Sequence, residues 1–243
     1  MKIAVCIHLY YVEMWDEIAS YLDNFENTPY DLFITIPREN KPFVPTLRIR
    51  HPDAHIIVTK NIGFDIYPFL HFVQEIDLDS YDVIFKLHSK KNIPKNFVRN
   101  NIDLGGTNWR DYMFLALLGT PARIQQILRV FERQQHVGMI CAQEILFQGY
   151  ETLIRDIDLQ RVRALMLECG LMVRNWEFAA GSIFAVRPRL LKPLKRRNFK
   201  ANEFPAYFPR DWNSLPYCLE RVLGCMVSAQ GLTVCGLPQP NGI

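Results

Sequence analysis

Short apolar runs alternate with helical segments along the first part of the chain, and this alternation limits the possible folds more than any other feature of the sequence. Runs rich in β-branched residues predict buried strands at Lys2–Leu9, Tyr30–Ile36, Ala54–Val58 and Tyr81–Leu87. Apolar residues at helical spacing predict helices between them, at Glu13–Phe25, around Thr46–His51 and at Asp65–Gln74. Because strands and helices alternate, we predict an α/β fold with a mainly parallel sheet and helices on both faces.

The second half of the chain is less regular but continues the same mixture of elements. It predicts helices at Trp109–Leu118, Pro121–Gln134, Leu159–Cys169 and Leu215–Val227, and strands at Val137–Ala142 and Phe178–Val186. No linker, repeat or low-complexity stretch separates the two halves. We therefore expect one domain over residues 1–243, which suits a chain of this length.

Composition excludes several classes of function. The net charge of +3 is too small to indicate a nucleic-acid-binding protein. The six cysteines show no C-x-x-C spacing, so we expect reduced core thiols and a cytoplasmic protein. His8 interrupts the N-terminal apolar run, and Glu13 and Asp16 follow it, so no secretory signal is expected. No apolar stretch approaches the ~20 residues that span a bilayer.

Polar residues cluster where the predicted strands end, which is where open parallel sheets bind ligands. The segments there are His8–Tyr11, Thr35–Arg38, Lys60–Asp65 and His88–Lys91. Neither G-x-G-x-x-G nor a P-loop occurs, which disfavours a dinucleotide or ATP site of those types. In KLHSKK, three lysines and a histidine lie within six residues. This segment is either a cationic pocket for a diphosphate or a solvated basic turn.

Two aspartates have both a structural and a functional interpretation. Asp65 follows Gly63 at a predicted helix start, and Asp211 precedes the last long helix. Each carboxylate could cap its helix. Asp211 could instead act as a general base towards an acceptor hydroxyl.

The order of these segments resembles the rhamnan synthesis protein F family of bacterial polysaccharide enzymes. The resemblance rests on IAVCIHLYYVEMWDEI, YDLFITIP, NIGFDIYPFL, YDVIFKLHSKK, WRDYMFLALLGT, FAAGSIFAVRP and DWNSLPYCLERVLG, which together span nearly the whole chain. Family members are described as rhamnosyltransferases or lipopolysaccharide-biosynthesis proteins. The resemblance therefore implies an inverting transfer of a sugar from a nucleotide donor, such as dTDP-L-rhamnose, to a cell-surface polysaccharide or lipopolysaccharide precursor.

The same order of segments is also similar to that of glycosyltransferases with the GT-A fold. It implies a nucleotide-sugar-binding half over residues 1–105 and an acceptor half over residues 106–243. Asn61–Gly63 stands at the Asn-x-Gly turn, and His88–Lys90 stands where this fold has a metal-binding Asp-x-Asp. Since His and Lys lack the hard oxygen ligands of Mg²⁺ and Mn²⁺, we expect no metal site and no required cofactor, with a divalent metal disfavoured.

The resemblance also implies roles for single residues. Arg210–Asp211 stands at the position of the Glu-Asp motif, so Asp211 is the expected catalytic base. The expected acceptor-binding residues are Ala180, Gly181, Ser182 and Trp212. The family pattern Asp-Gly-Thr is Asp-Trp-Asn here, so acceptor choice is expected to differ. The expected donor-binding residues are His8, Tyr10, Tyr11, Arg38, Asn61, Gly63, Asp65, Lys86, His88, Ser89, Lys90 and Lys91.

The implied acceptor is a lipid-linked glycan, which would bring a cytoplasmic enzyme to the inner membrane as a peripheral protein. The basic run Lys192–Lys200 either contacts anionic lipid or pyrophosphate, or forms a solvated loop. Two other functions stay open. One is a non-catalytic carbohydrate- or nucleotide-binding module of a polysaccharide assembly complex. The other is a nucleotidyltransferase, which normally needs paired acids for Mg²⁺.

Overall fold

The computed structural model describes residues 1–91, 98–99, 102–152, 156–205 and 211–239, so Arg210 of the predicted Glu-Asp position lies outside the described residues. Seven strands form the main sheet, namely β1 Ile3–His8, β2 Asp31–Pro37, β3 His55–Thr59, β4 Val83–His88, β7 Val137–Ala142, β10 Phe184–Val186 and β11 Thr233–Leu237. Their order across the sheet is β11-β7-β10-β4-β1-β2-β3. Only β10 runs antiparallel to its neighbours within this sheet. Two small antiparallel pairs are β5 Val98–Arg99 with β6 Ile102–Asp103, and β8 Leu146–Gln148 with β9 Glu177–Ala179.

Helices cover both faces of the main sheet, which confirms the predicted α/β architecture. The helices are α1 Trp15–Leu22, α2 Val44–Arg50, α3 Ile66–Glu75, α4 Asn108–Leu118, α5 Pro121–Arg133, α6 Asp156–Glu168, α7 Lys192–Arg197 and α8 Leu215–Ala229. The buried residues of α1, α2, α4 and α5 pack on one face, and those of α3, α6, α7 and α8 pack on the other. None of the helices described is long and apolar enough to cross a membrane.

The strand β1 shows why the sheet is covered on both sides. All six of its residues are buried. Ile3, Val5 and Ile7 pack with the side chains of α1, α4 and α5, whereas Ala4 and Cys6 pack with those of α3 and α8. Successive residues of a strand point to opposite faces, so a continuously apolar strand belongs in the centre of a sheet. The six cysteines are all free thiols, and five of them are buried.

The segment Phe178–Val186 differs from its prediction as one strand. A turn with φ of +83° at Gly181 and +48° at Ser182 divides it into β9 and β10. Because left-handed backbone cannot continue a pleated strand, the chain leaves the small sheet after Ala179 and enters the main sheet at Phe184. The single-strand prediction was wrong, since apolar periodicity does not register this reversal.

The strand order reverses between β1 and β4. The chain proceeds from β1 to β2 and β3 on one side, and then returns to place β4 on the other side of β1. At the carboxyl ends of these two strands, His8 and His88 are register partners. Connections leave in opposite directions at such a point and open a crevice, which is where doubly wound sheets bind ligands.

Candidate functional site

A cleft of about 370 Å³ opens at this switch point, within the size range of ~300–1,000 Å³ typical of small-molecule sites. Most of the predicted site residues line it, namely His8, Tyr10, Tyr11, Asn61, Asp65, His88, Ser89, Lys90, Lys91, Gly181 and Ser182. Side chains from β1, from the turn before α3, from the end of β4 and from the β9–β10 turn therefore meet in one place. The sequence also placed these segments at strand ends.

The two histidines form the floor of the cleft as neutral side chains. His8 Nδ1 lies 3.0 Å from Thr35 Oγ1, and His88 Nε2 lies 2.8 Å from the Gly181 carbonyl oxygen. Nδ1 of His88 lies farther, at 3.3 Å, from the Ser89 carbonyl oxygen. Since a carbonyl only accepts, the neutral ring carries its hydrogen on Nε2, which makes the shorter contact and donates to Gly181. Burial lowers the pKa of His8 to about 3 and that of His88 to about 4, against the opposing effect of the Asp65 carboxylate. At neutral pH both rings are hydrogen-bonding groups rather than cations.

Lys86 lies beneath the cleft and does not line it. Its ammonium donates to Asp65 Oδ2 at 2.5 Å, to the Ser182 carbonyl at 2.7 Å and to Ser182 Oγ at 3.1 Å. Burial alone would raise the pKa of the Asp65 carboxyl. Nearby His88 and Lys86, with hydrogen bonds from Lys86 and Ser182, outweigh burial and hold that pKa far below its usual range. Lys86 thus fixes an ionised Asp65 against the β9–β10 turn.

Ser89 connects the ends of β1 and β4. Its hydroxyl oxygen accepts hydrogen bonds from the backbone N–H groups of Tyr10 at 3.0 Å and Tyr11 at 2.8 Å. Its own N–H donates to the His8 carbonyl at 2.9 Å. These bonds extend the contact between the two strands by one residue. They hold the two tyrosine backbones at the rim of the cleft.

Two further lysines bring positive charge to the cleft itself. The Lys90 ammonium lies 5.6 Å from the centre of the Trp109 ring, a cation–π distance. Burial lowers the pKa of Lys90, and the carboxylate of Glu220 opposes this effect. The Lys91 ammonium lies 2.5 Å from Glu13 Oε1 and 4.4 Å from the centre of the Tyr11 ring. Lys90 is therefore the more deeply placed cation of the two.

The turn before α3 needs the glycine that the Asn-x-Gly pattern supplies. Gly63 has a φ of +65°, and a Cβ there would lie 2.5 Å from Phe204 Cδ1. The side-chain amide of Asn61 donates to Glu39 Oε1 at 2.5 Å. Phe64, which follows the glycine, lines the cleft. The glycine thus shapes the turn without lining the cleft itself.

Four other predicted residues are not among those that line the cleft. Arg38 is exposed and borders a separate surface depression. Ala180 is buried, and its N–H donates to the Ile145 carbonyl at 3.0 Å. Asp211 is exposed, and its Oδ1 accepts the N–H of Asn213 at 2.9 Å in the turn before α8. The fourth residue is Trp212.

Trp212 does not line the cleft but packs against Tyr217, which does. Its side chain is 45% exposed and packs 4.7 Å from the ring centre of Tyr217, which in turn lies 5.4 Å from that of Phe64. Tyr217 and Phe64 both line the cleft, and the sequence interpretation missed them. The three rings form a continuous aromatic surface from the cleft outwards. Aromatic pairs at this spacing are favourable.

Glu220 is a second residue that the sequence interpretation missed. It lines the cleft from α8, and its Oε1 accepts the N–H of Gly181 at 2.7 Å. Burial raises the pKa of this carboxyl, partly offset by the positive charge of Lys90. The helix LPYCLERVLGCMVSA is otherwise largely apolar and buried. An acid within such a helix was the signal available in the sequence.

The described part of the chain offers little for a metal ion. Within it, no group of three or more His, Cys, Asp and Glu side chains is arranged as a ligand set. Asp65, which lines the cleft beside the predicted Asp-x-Asp position, is held by Lys86 and Ser182. The expectation that no metal is required stays a prediction.

Comparison with known proteins identifies the family. A model of one family, described as rhamnan synthesis protein F (RgpF), matches residues 1–232. The chain belongs to the RgpF family. This confirms the resemblance drawn from the sequence motifs. WxcX, an uncharacterised protein of two strains of Xanthomonas campestris pv. campestris, is 27% identical over 240 residues. The match covers 98% of this RgpF-family chain and 33% of WxcX, so the chain spans about a third of that relative's length.

Among solved structures, this RgpF-family chain is similar to residues 1–349 of S. aureus TarS. The TM-score is 0.49 at 11% identity, with 97% of this chain and 58% of that chain covered. For TarS in complex with UDP-GlcNAc the TM-score is 0.47 at 11% identity, with coverage of 100% and 60%. Scores at this level establish neither the activity nor the ligand of this chain.

Proposed function

We propose that this chain is a glycosyltransferase domain that moves a sugar from a nucleotide donor onto a growing cell-surface polysaccharide. Membership of a family named for rhamnan synthesis supports this function. The observation that carries the proposal is the cleft at the switch point, where Asp65, His88, Lys90 and Lys91 converge. Neutral hydrogen-bonding rings, an ionised acid and two ammonium groups are suited to a sugar joined to a diphosphate.

The two lysines supply the electrostatic part of the proposed reaction. When the glycosidic bond to the diphosphate breaks, negative charge grows on the departing oxygen. Lys90 and Lys91 line the cleft and can stabilise that charge without a metal ion. Asp65, fixed by Lys86, is placed to accept a hydrogen bond from a sugar hydroxyl. Lys86 thereby acts through Asp65 and not on the diphosphate.

The aromatic surface of Phe64, Tyr217 and Trp212 is the proposed acceptor side. Sugar rings present C–H faces that pack well on aromatic side chains, and this surface runs outwards from the cleft. An extended glycan is therefore a suitable acceptor. From the family description we further propose rhamnose as the transferred sugar, dTDP-L-rhamnose as the donor and inversion at the anomeric carbon.

The basic run that follows β10 is mostly engaged within the protein. Lys192 pairs with Asp79, and the Lys195 ammonium donates to the Ile76 carbonyl. Arg197 pairs with Glu168 and Glu203, which leaves fewer charges of this run for an anionic surface. These contacts favour a structural role for the run. Membrane contact is therefore not part of the proposed function.

A panel of nucleotide sugars tests the proposal in two measurements on one sample. A donor that binds the folded chain raises its melting temperature, by an amount that grows with concentration. Transfer releases the nucleoside diphosphate, which a coupled assay detects. Lys90→Gln should weaken donor binding by roughly tenfold or more, since it removes a charge-assisted contact. Lys41→Gln, an exposed lysine outside the cleft, is the matched control.

Each result has a distinct meaning for the proposal. Binding and turnover with one donor support a transferase. Binding without turnover in the presence of glycan acceptors favours the non-catalytic binding module. If no nucleotide sugar binds and none is turned over, the proposal is wrong.

A further inference from the structure

Glu220 is the carboxylate that α8 places in the cleft. Its neighbours on α8, Leu219 and Val222, are buried in the core, whereas Glu220 faces the cleft beside Pro216 and Tyr217. An acid in a largely buried helix costs free energy unless it is paired or hydrogen-bonded. Its position next to the aromatic surface places it on the acceptor side of the cleft.

The two oxygens of this carboxylate differ in their contacts. Oε1 accepts the N–H of Gly181 at 2.7 Å, which fixes the side chain against the β9–β10 turn. Within the described part of the chain, no hydrogen bond reaches Oε2. One oxygen is thus an anchor, and the other can receive a hydrogen bond from a ligand in the cleft.

Three charged groups act on Glu220 from the elements around it. Lys90 follows β4 and Arg221 is its neighbour on α8, and both favour the carboxylate form. Asp65, before α3, opposes ionisation, and burial opposes it more strongly, so the pKa is raised overall. Lys90 lines the cleft without forming a direct ion pair with Glu220 among the described contacts. A close cation lowers the pKa of a carboxyl group, so a carboxylate without such an ion pair is the stronger base.

We propose that Glu220 is the general base of the transfer reaction, an inference that rests on the proposed function. The acceptor oxygen forms a bond to the anomeric carbon of the donor sugar, while the bond from that carbon to the phosphate oxygen breaks. The electron pair of the broken bond leaves with the nucleoside diphosphate, beside Lys90. The proton of the acceptor hydroxyl passes to Glu220 Oε2.

Asp211 is the rival for this role, because its place in the order of motifs first suggested it. Its carboxylate is exposed and accepts a hydrogen bond within its own turn, and it is not among the residues that line the cleft. Glu220 is nine residues further along and faces both Gly181 and Lys90. The geometry therefore favours Glu220.

The substitution Glu220→Gln tests proton transfer while it keeps the hydrogen bond to Gly181. Glutamine keeps an oxygen that accepts the Gly181 N–H, but its amide cannot take a proton. We expect kcat to fall roughly 10²–10⁴-fold, the usual loss for a general base. Donor affinity, measured from melting-temperature shifts, should stay within about threefold, since a base acts mainly in the transition state. Glu132→Gln, an exposed acid on α5, is the matched control and should keep wild-type kcat.

Other outcomes distinguish this inference from the proposed function. A large loss of donor affinity with unchanged kcat in Glu220→Gln would show that Glu220 is a counter-ion for Lys90. That result would overturn this inference but not the proposed function. A second result would also overturn the inference: wild-type kcat in Glu220→Gln together with a loss of kcat in Asp211→Asn of about 10²-fold or more, the loss expected when a general base is removed. A wild-type chain that transfers no sugar from any donor overturns the proposed function first. Loss of the acidic limb of the kcat–pH profile in Glu220→Gln, in a variant that melts like the wild type, supports the base role.

Discussion

The ammonium of Lys86 lies 2.5 Å from Oδ2 of Asp65, with 1% and 14% of the two side chains exposed to solvent. The lysine lies on β4, and the acid lies in the turn before α3. Both also bond to Ser182 in the β9–β10 turn. One buried ion pair therefore joins three separate segments of the chain beneath the cleft.

Removing the lysine of this pair should destabilise the protein strongly. In Lys86→Met the Asp65 carboxylate stays buried without its cation, which typically costs about 3–5 kcal/mol. Urea denaturation measures the loss. Lys192→Met, which breaks the exposed pair with Asp79, should cost about 0–1 kcal/mol. The double variant Lys86→Met with Asp65→Asn should recover part of the loss, because no buried charge is then unpaired. Equal stability of both single lysine variants would contradict the pairing.

The buried histidines should make the protein less stable in mild acid. Their folded pKa values are lowered to about 3 for His8 and about 4 for His88, whereas an unfolded histidine titrates near ~6.5. Between roughly pH 6.5 and pH 4 the unfolded chain therefore binds more protons, so the free energy of unfolding falls as pH falls. The slope should be up to about 1.4 kcal/mol per pH unit for each histidine. Denaturation across this range measures it, and an unchanged slope in His8→Asn would contradict this explanation.

Asp65 should make the free energy of unfolding fall further at still lower pH. Its folded pKa is depressed, so its contribution to stability is present above its unfolded value of ~3.9 and is lost as pH falls below it. Asp65→Asn should therefore flatten the stability profile only at strongly acidic pH. A flattening confined to neutral pH would show that another group is responsible.

Gly63→Ala should disturb the turn that carries Asn61 and Asp65. Alanine at a φ of +65° is strained by about 1–2 kcal/mol, and its Cβ would lie 2.5 Å from Phe204 Cδ1. Crowding of this kind adds about 1–3 kcal/mol. Gly231→Ala has a similar φ of +78° but no atom within 4 Å, so it measures the backbone strain alone. Thermal denaturation should show the larger loss for Gly63→Ala, and equal losses would exclude the crowding.

Much of the fold follows from local patterns in the sequence. The strand predicted at Val137–Ala142 has the predicted bounds, and that predicted at Lys2–Leu9 is found at Ile3–His8. Both are continuous apolar runs that can only be buried. Thr233–Leu237 was not predicted as a strand, because Cys235 and Gly236 give it little β-branched character.

The site depends on contacts that local patterns cannot show. KLHSKK indicated a cationic cluster, but only the strand register places Lys86 below the cleft and Lys90 within it. Glu220 reaches the cleft because α8 packs against β9, a contact between segments distant in sequence. Tyr217, three residues earlier, lines the same cleft. Spacing along a helix marks such residues as neighbours but does not say what they face.

Sugar transfer should continue in excess EDTA. A divalent ion such as Mg²⁺ needs several hard oxygen ligands, and the side chains of His88 and Lys90 supply none. Two acids line the cleft here: Oδ2 of Asp65 is bonded to Lys86 and Ser182, and Oε1 of Glu220 accepts the N–H of Gly181. No ligand cluster occurs in the described part of the chain. In the proposed reaction Lys90 supplies the positive charge for the diphosphate, so Lys90→Gln should slow transfer and added Mn²⁺ should restore it only weakly. Complete loss of wild-type activity in EDTA, recovered with Mn²⁺, would show that a metal and not Lys90 carries this charge.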